Sequence, residues 1–373
     1  MANNILYSKT IAQTKEQVKP YRVLSLDGGG MRGLYTASVL QSLVNRFSRS
    51  NSGNKDIGKG FDLIAGTSTG GILACGLAAG VPIKNIIELY SKKGKKIFTN
   101  PFPFDWKIKK LWWAHQNKNK PANSNKALTQ ELQSIFNDKT MGQIYNERKV
   151  GLCITSINLI DYSPRVFKTP HNLLKNADNN RKLIDVCLAT SAAPIIFPIA
   201  NIPDPERENI YENFVDGGLW ANSPISVALI EAISCSGENQ KIEIVSIGTC
   251  PAQKGEVVKN SNRGLFQWQF GIKPMELSME SQSKASHNIA DFLCVQLKKL
   301  GRKVTIHRLK QTVPSVEQAK FLSLDQANKQ TCDLLIKLGK KDGEAIYGEI
   351  IKKDKDNDLK TIFTNLPNIK GGN

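Results

Sequence analysis

The sequence predicts an α/β fold, and three observations support this prediction. Residues 21–47 and residues 61–81 each contain a short apolar run, a glycine-rich turn and a helical pattern, in the order strand, turn, helix. Further strands and helices can be recognised along the chain to about residue 338. The chain has 373 residues, 40% of them hydrophobic and 23% charged, which is typical of a globular protein with a large core. We therefore expect one large domain, residues 21–350.

Charge and cysteine content narrow the class of protein. The net charge of +18 comes from 51 Lys and Arg residues against 33 Asp and Glu residues. This excess favours an anionic partner such as nucleic acid, an acidic membrane surface or a phosphorylated substrate, although it also fits solubility alone.

The seven cysteines are widely spread and never form a Cys-x-x-Cys pair, which indicates reduced core residues. No His, Cys and carboxylate cluster has ligand spacing and no calcium loop is present, so we expect no metal and no cofactor.

The two ends of the sequence are polar. Residues 1–20 are aperiodic and are interpreted as an N-terminal arm, and residues 351–373 as a charged, frayed tail. The first residues lack the charged and apolar regions of a secretory signal, so a cytoplasmic location is expected. The most apolar window, residues 61–81, contains Asp62, Thr67, Ser68 and Thr69 and has too little bulk for a membrane span.

The first strand, turn, helix unit has the glycine-rich turn DGGGMRG at residues 27–33. Gly28, Gly30 and Gly33 match the dinucleotide-binding fingerprint in spacing. That fingerprint needs an acidic residue at the end of a second strand, whereas here the next strand begins with Asp62. The alternative is an oxyanion hole, in which bare glycine amides and a helix N-terminus converge on one oxygen and Arg32 adds positive charge.

The second unit contains the sequence GTSTG at residues 66–70, with Ser68 between two glycines. A serine in a sharp turn between a strand and a helix is presented as a nucleophile, although G-x-S-x-G alone arises by chance in many proteins. Two such units side by side would bring the amides of Gly28, Gly29 and Gly30 to the same sheet edge as the Ser68 hydroxyl.

Residues 92–126 form a basic and aromatic insertion. They contain ten lysines against the single acid Asp105, which gives a net charge of +9. Six aromatic residues lie among the lysines: Phe98, Phe102, Phe104, Trp106, Trp112 and Trp113. Three interpretations remain open, namely a lid whose aromatic residues cover an apolar groove, contact with an anionic membrane, and stacking on single-stranded nucleic acid.

The remaining elements follow from periodicity and turn residues. Helices are predicted at residues 84–97, 127–136, 183–194, 224–233 and 325–338, and strands at residues 150–156, 164–168, 211–215, 241–248 and 303–309. The helix at residues 183–194 is expected to pack in the core and to end at Pro194. Gly339 is expected to cap the C-terminus of the helix at residues 325–338.

A serine nucleophile needs a base, and the chain contains only four histidines. His287 and His307 follow Ser68 and Asp216 in the order of a Ser-Asp-His triad, but neither lies in a motif and a structural role is favoured for both. Asp216 is the better base because it ends a strand and two glycines follow it. An ordinary carboxylate is a weak base for a serine hydroxyl. The surroundings of Asp216 would therefore have to be apolar enough to raise its pKa, or its position relative to Ser68 favourable enough to compensate for a low pKa.

Four motifs in order, at residues 27–33, 66–70, 189–194 (ATSAAP) and 216–218 (DGG), resemble the patatin-like phospholipase family. The resemblance covers about residues 21–248. It implies a three-layer α/β/α domain with a mostly parallel central sheet and a lipid acyl hydrolase with a Ser-Asp dyad. Ser68 would be the nucleophile, Asp216 the base, and Gly28, Gly29 and Gly30 the oxyanion hole, with Arg32 beside them.

Some bacterial members of this family are anti-phage effectors switched on by cyclic oligonucleotides, and the net charge of this chain suits such an activator. The expected partners are therefore a phospholipid membrane surface and a cyclic dinucleotide, and a homo-oligomer is left open. The alternative from another functional class is a non-catalytic module that binds membranes or nucleic acid on a hydrolase fold.

Overall fold

A central sheet organises the molecule. The computed structural model describes residues 18–48, 55–103, 107–172, 178–250, 255, 258, 261–352 and 357–369. The strands are β1 (Tyr21–Leu26), β2 (Leu63–Thr67), β3 (Gly151–Asn158), β4 (Ser163–Lys168), β5 (Ala200–Pro203), β6 (Tyr211–Asp216), β7 (Ile242–Ile247) and β8 (Val304–Arg308). Most of residues 1–20, the predicted N-terminal arm, lie outside the described residues.

The sheet is parallel at its centre and antiparallel at one side. Strands β3, β2, β1, β7 and β8 are neighbours in that order and all run in the same direction. Strands β4 and β6 pair with β3 in the antiparallel sense, and β5 pairs with β6 in the same sense. The mostly parallel sheet predicted from the sequence is therefore confirmed, with an antiparallel addition.

Two strands share one edge of β3. Residues 151–155 of β3 pair with β2, and residues 156–158 pair with β6. Strand β4 pairs with residues 153–158 and therefore occupies the opposite edge. Thr67 is paired with Thr155, and Asp216 is paired with the next residue, Ser156. Strands β2 and β6 therefore meet at their carboxyl ends.

Helices cover both faces of the sheet. They are α1 (Gly33–Phe47), α2 (Thr69–Ala79), α3 (Ile83–Ile97), α4 (Lys107–Gln116), α5 (Lys126–Phe136), α6 (Met141–Arg148), α7 (Leu183–Thr190), α8 (Gly218–Ala221), α9 (Ile225–Cys235), α10 (Ile272–Lys299), α11 (Val316–Ala319), α12 (Lys329–Lys352) and α13 (Asp358–Thr364). Among the described residues, no helix combines the length and the apolar character that crossing a membrane requires.

The two faces of the sheet bury two separate cores. Leu24 and Leu26 of β1 join the larger core, which contains residues of α1, α2, α3 and α12, while Val23 joins a smaller core with α9 and α10. Successive strand residues point to opposite faces, so this alternation places helices on both sides of β1. The predicted three-layer α/β/α arrangement is confirmed. All seven cysteines are free, and all except Cys235 are buried.

Two predictions near the C-terminus are wrong. Gly339 does not end a helix but lies inside α12, where a Cβ atom would stand 2.6 Å from the Tyr35 carbonyl oxygen of α1. Glycine is needed there because the two helices approach closely, not because the backbone turns. The segment after Lys352 is not simply frayed, since α13 buries Ile362 and Phe363 against the larger core. Residues 353–356 and 370–373 lie outside the described residues.

Candidate active site

Ser68 occupies the turn between β2 and α2. Its backbone has φ 53° and ψ −123°, a conformation that non-glycine residues seldom adopt and that is often found at functional sites. The flanking glycines allow this turn: a Cβ on Gly66 would stand 2.3 Å from the Gly70 carbonyl oxygen, and a Cβ on Gly70 would stand 2.3 Å from that of Leu26. The turn therefore has the geometry of a nucleophile elbow.

The carboxylate of Asp216 lies directly against the Ser68 hydroxyl. Ser68 Oγ donates a hydrogen bond to Asp216 Oδ2 at 2.6 Å, and the Gly218 amide donates to Asp216 Oδ1 at 2.7 Å. The two side chains come from segments almost 150 residues apart, and they meet because β2 and β6 end at adjacent positions along β3. Both residues are buried.

Burial raises the pKa of Asp216 to about 6. Transfer of the charged carboxylate out of water disfavours its ionised form, and the hydrogen bonds from Ser68 and Gly218 offset only part of this effect. A carboxylate with a pKa near neutrality is a better proton acceptor than an exposed aspartate and is still ionised at neutral pH. The requirement stated from the sequence, an apolar environment for Asp216, is met.

The glycine-rich turn lies between β1 and α1. The Gly28 amide donates to the Asn222 carbonyl oxygen at 2.8 Å, so this amide holds the turn in place and does not point freely into the site. In the described residues, the amides of Gly29 and Gly30 have no hydrogen-bond acceptor. Gly30 has φ 55°, which favours glycine, and it lines the same pocket as Ser68.

Arg32 holds the far side of this turn. Its Nε donates to the Gly29 carbonyl oxygen at 3.5 Å and its guanidinium donates to the Cys250 carbonyl oxygen at 3.4 Å. Arg32 therefore contacts carbonyl groups behind the loop rather than the Ser68 hydroxyl. A second arginine, Arg308 of β8, donates to the carboxylate of Asp27 at 2.6 Å and fixes the residue at which the turn begins.

Thr190 is a site residue that the sequence did not identify. Its Oγ1 accepts a hydrogen bond from the Ser68 amide at 2.8 Å and donates one to the Thr155 carbonyl oxygen at 2.7 Å. Two residues later, the Ala192 carbonyl oxygen accepts from the Asp216 amide at 3.0 Å. The motif at residues 189–194 therefore contacts the backbones of both Ser68 and Asp216. The sequence assigns this motif to the family resemblance and to a core helix but gives Thr190 no role, and that helix, α7, ends at Thr190 rather than at Pro194.

The space above Ser68 is an apolar pocket. Ser68, Asp216, Thr69 and Ser191 contribute most of its few polar groups. The rest of the wall includes Ile72, Leu89, Phe98, Leu128, Ile196 and Met279, from several different elements. An apolar lining of this kind suits the hydrocarbon part of a ligand.

The two histidines considered as bases lie elsewhere. His287 Nε2 is 3.1 Å from Ser223 Oγ, and His307 Nε2 is 3.2 Å from Asp358 Oδ2. Neither ring contacts Ser68.

One group of potential metal ligands was missed in the sequence because its members are far apart in the chain. Cys153, His171 and Glu231 bring ligand atoms within 4.8 Å of one another. Lys168 and Asn172 also contact the Glu231 carboxylate, and together with His171 they lower its pKa to about 2 although its burial acts in the opposite direction. This group has the composition of a buried ion-pair cluster that joins β4 to α9.

The basic and aromatic insertion is divided between core and surface. Phe98 lines the pocket, while Phe102 and Trp113 are buried with Ala122 and Ile272 in a small cluster of their own. Trp112 faces solvent. Phe104, Asp105 and Trp106 lie outside the described residues.

Comparisons with known proteins agree on one family. A family model described as patatin-like phospholipase matches residues 24–229, which include Ser68, Thr190, Asp216 and the glycine-rich turn. The chain is 32% identical over 272 residues to a cGAMP-activated phospholipase of Pseudomonas aeruginosa, covering 71% of this chain and 74% of that protein.

Two further relatives carry the same name. The protein of Escherichia coli is 35% identical over 235 residues, covering 61% of this chain and 62% of that protein. The protein of Vibrio cholerae is 32% identical over 262 residues, covering 70% of this chain and 68% of that protein. The chain therefore belongs to the patatin-like phospholipase family and is an enzyme of the lipid acyl hydrolase class.

Proposed function

We propose that this enzyme cleaves fatty acyl esters of phospholipids through a Ser68–Asp216 dyad and a covalent acyl-enzyme. One observation carries the proposal: the 2.6 Å hydrogen bond from Ser68 Oγ to Asp216 Oδ2 at the wall of an apolar pocket. A serine nucleophile and its base must be within hydrogen-bond distance, and a fatty acyl chain requires an apolar cavity beside them.

The reaction has two balanced steps. In the first, Ser68 Oγ attacks the ester carbonyl carbon while Asp216 accepts the hydroxyl proton, and the tetrahedral intermediate then expels the alcohol, which takes the proton from Asp216. In the second, Asp216 accepts a proton from water as the water oxygen attacks the acyl-enzyme. Ser68 leaves with that proton and the free fatty acid is released.

Backbone amides stabilise the negative charge on the carbonyl oxygen in both steps. We assign this role to Gly29 and Gly30, whose amides have no other acceptor among the described residues, while Gly28 and Arg32 hold the loop in position. The amide of Thr69, the first residue of α2, is a further donor suggested by nucleophile-elbow geometry. Each such donor contributes on the order of 3 kcal/mol to the lowering of the barrier.

The test is release of fatty acid from phospholipid vesicles, with the products profiled by mass spectrometry. Ser68→Ala and Asp216→Asn are expected to lose fatty acid release by at least about a thousandfold. His287→Ala serves as the matched control, because the His287 ring is partly buried and contacts Ser223 rather than Ser68. Full activity in either dyad variant would contradict the proposal, and so would an inactive His287→Ala that is folded.

We further propose that a cyclic dinucleotide activates this enzyme. The support is the shared name of the three relatives, cGAMP-activated phospholipase, together with the net charge of +18, which suits an anionic ligand. The rate of ester hydrolysis by the purified protein is expected to rise on addition of cGAMP and to stay unchanged with linear dinucleotide at the same concentration. An equal rate with and without every cyclic dinucleotide tested would overturn this proposal and leave the dyad proposal intact.

A further inference from the structure

Helix α4 presents apolar side chains to solvent. Ile108, Leu111 and Trp112 lie on one face at spacings of three and four residues, and all three are exposed. The opposite side of the same helix buries Trp113 against Phe102. A short surface helix normally has one apolar face, directed to the core, so the second apolar face of α4 lacks a structural explanation within the domain.

A turn supported by the same small cluster also presents apolar side chains to solvent. Leu265 and Phe266 are exposed, and the Phe266 ring packs edge-on against Phe270 with centroids 5.4 Å apart. Phe270 in turn packs on the small cluster that contains Trp113. We name the combined surface of Ile108, Leu111, Trp112, Leu265 and Phe266 the apolar rim.

The small cluster behind the apolar rim also supports the wall of the catalytic pocket. After α4, the amides of Ala122 and Asn123 donate to the carbonyl oxygens of Ile195 and Ile196, at 2.8 Å and 2.9 Å. Ile196 lines the pocket. On the other side, α10 begins at Ile272 in the small cluster and continues one turn later to Met275, another pocket residue. The rim and the pocket therefore share their supporting backbone.

Positively charged side chains lie near both parts of the apolar rim. Residues 107–126 contain six lysines and no acidic residue. Lys109, Lys118 and Lys120 are exposed, and Lys110 lies with its Nζ 5.5 Å from the Phe102 ring centroid. Near the second part of the rim, the Arg263 guanidinium lies over the Trp268 ring. Exposed apolar and indole side chains bordered by lysines match the chemistry of an anionic bilayer surface, where rings insert at headgroup level and lysines meet phosphates.

We propose that the apolar rim is the surface by which this enzyme docks on anionic phospholipid bilayers, so that the pocket meets the membrane at its edge. This inference rests on the proposed function for its purpose, because a lipid acyl chain must leave the bilayer to reach Ser68. Docking itself does not require catalysis. It can therefore be measured on a protein that cannot consume the lipid.

The experiment is co-flotation of the Ser68→Ala protein with phosphatidylcholine vesicles that contain or lack phosphatidylglycerol. The double variant Leu111→Ser, Trp112→Ser is expected to lower the vesicle partition coefficient by about tenfold or more, because two inserting side chains are removed. Replacing Lys109, Lys118 and Lys120 by Gln is expected to remove most of the preference for phosphatidylglycerol and most of the salt dependence.

Phe292→Ser is the matched control. Phe292 is 64% exposed, against 63% for Trp112, and it lies on α10 about 30 Å from Ile272 along the helix axis. Its substitution is expected to change the partition coefficient by less than about twofold. An equal loss in Phe292→Ser, or no loss in the double variant, would overturn the proposal.

Three readouts separate this proposal from its alternatives. When Ser68 is kept, the double variant should hydrolyse a short soluble ester at the wild-type rate. If instead the proposed function were wrong, the wild-type protein would also fail to hydrolyse the ester, while its binding to vesicles would persist. Loss of self-association in the double variant, with vesicle binding unchanged, would assign the rim to a second copy of the chain instead. Vesicle binding that persists in the double variant together with loss of single-stranded nucleic acid binding would assign it to nucleic acid.

Discussion

The Thr190 hydroxyl accepts the hydrogen bond of the Ser68 amide at 2.8 Å and donates its own proton to the Thr155 carbonyl oxygen. Ser68 follows β2, Thr155 belongs to β3 and Thr190 ends α7, so one buried hydroxyl connects three elements at the serine. Because the backbone of Ser68 has an unfavourable conformation, its orientation depends on such surrounding contacts.

Thr190→Val removes this hydroxyl while keeping the shape of the side chain. We expect kcat to fall by about tenfold to a hundredfold with KM nearly unchanged, because Ser68 loses its orientation and the pocket is preserved. The free energy of unfolding should also fall by about 1–3 kcal/mol, since a buried amide and a buried carbonyl lose their partner. Steady-state kinetics on a soluble ester and urea unfolding measure both effects. Thr190→Ser retains the hydroxyl and should restore most of the activity; if it does not, the role assigned to the hydroxyl is wrong.

The rate of ester hydrolysis should depend on the ionisation of Asp216. Burial raises its pKa to about 6, and only the carboxylate form can accept the Ser68 proton. We therefore expect kcat/KM to rise about tenfold per pH unit below about 6 and to level off above it. The profile of His287→Ala should show the same inflection, which separates Asp216 from a titrating histidine. A rate independent of pH across this range would contradict the assignment of Asp216 as the base.

Asp216→Asn should be inactive and yet more stable than the wild-type protein at neutral pH. The pKa of Asp216 is raised on folding from about 4 to about 6, so its contribution to stability is favourable below about pH 4 and is lost as the pH rises through 6. Above that pH, the buried charge costs about 3 kcal/mol. Thermal unfolding should therefore show an increase in Tm of about 2–4 °C for the variant at neutral pH, which vanishes towards pH 4. A variant that is equally stabilised at both pH values would indicate a different cause.

Two glycines of α12 should respond in opposite directions to replacement by alanine. A Cβ at Gly339 would stand 2.6 Å from the Tyr35 carbonyl oxygen and 2.7 Å from Ser38 Cβ, so Gly339→Ala should lower the free energy of unfolding by about 1–3 kcal/mol. At Gly348 nothing lies within 4 Å, and Gly348→Ala should raise it by about 0.5–1 kcal/mol through the better helix propensity of alanine. Urea unfolding of both variants measures the contrast, and a loss of equal size at both positions would refute the packing explanation.

The sequence predicted the parts of the site whose residue types are required by local geometry. Ser68 between two glycines, the glycine-rich turn and Asp216 before Gly217 all lie where backbone crowding restricts the choice of residue, and the restriction is visible as a motif. The structure brings Ser68 and Asp216 together as the sequence suggested. Their catalytic roles remain predictions that the experiments above test.

The remaining features depend on contacts between distant segments and leave no local pattern. The Gly28 amide is engaged by Asn222, a residue almost 200 positions later, so the sequence could not separate it from the amides of Gly29 and Gly30. Thr190 resembles any small helix residue until its partners are known. The role of Gly339 is not visible in the sequence either, because a glycine that allows two helices to touch cannot be told from one that ends a helix until the partner helix is known.

The meeting of β2 and β6 along β3 has a consequence for how this protein can change in length. The position of Asp216 beside Ser68 is set by its pairing with Ser156 of β3, next to the residue that pairs with Thr67. The path of the chain between β3 and β6 does not affect this pairing. Insertions and deletions in the exposed loop at residues 206–210, just before β6, should therefore be tolerated far better than a single deletion within Tyr211–Asp216, which would turn the side chains after it to the opposite face of the sheet. The length of this loop can therefore be varied in an engineered library, whereas the number of residues in β6 must be kept.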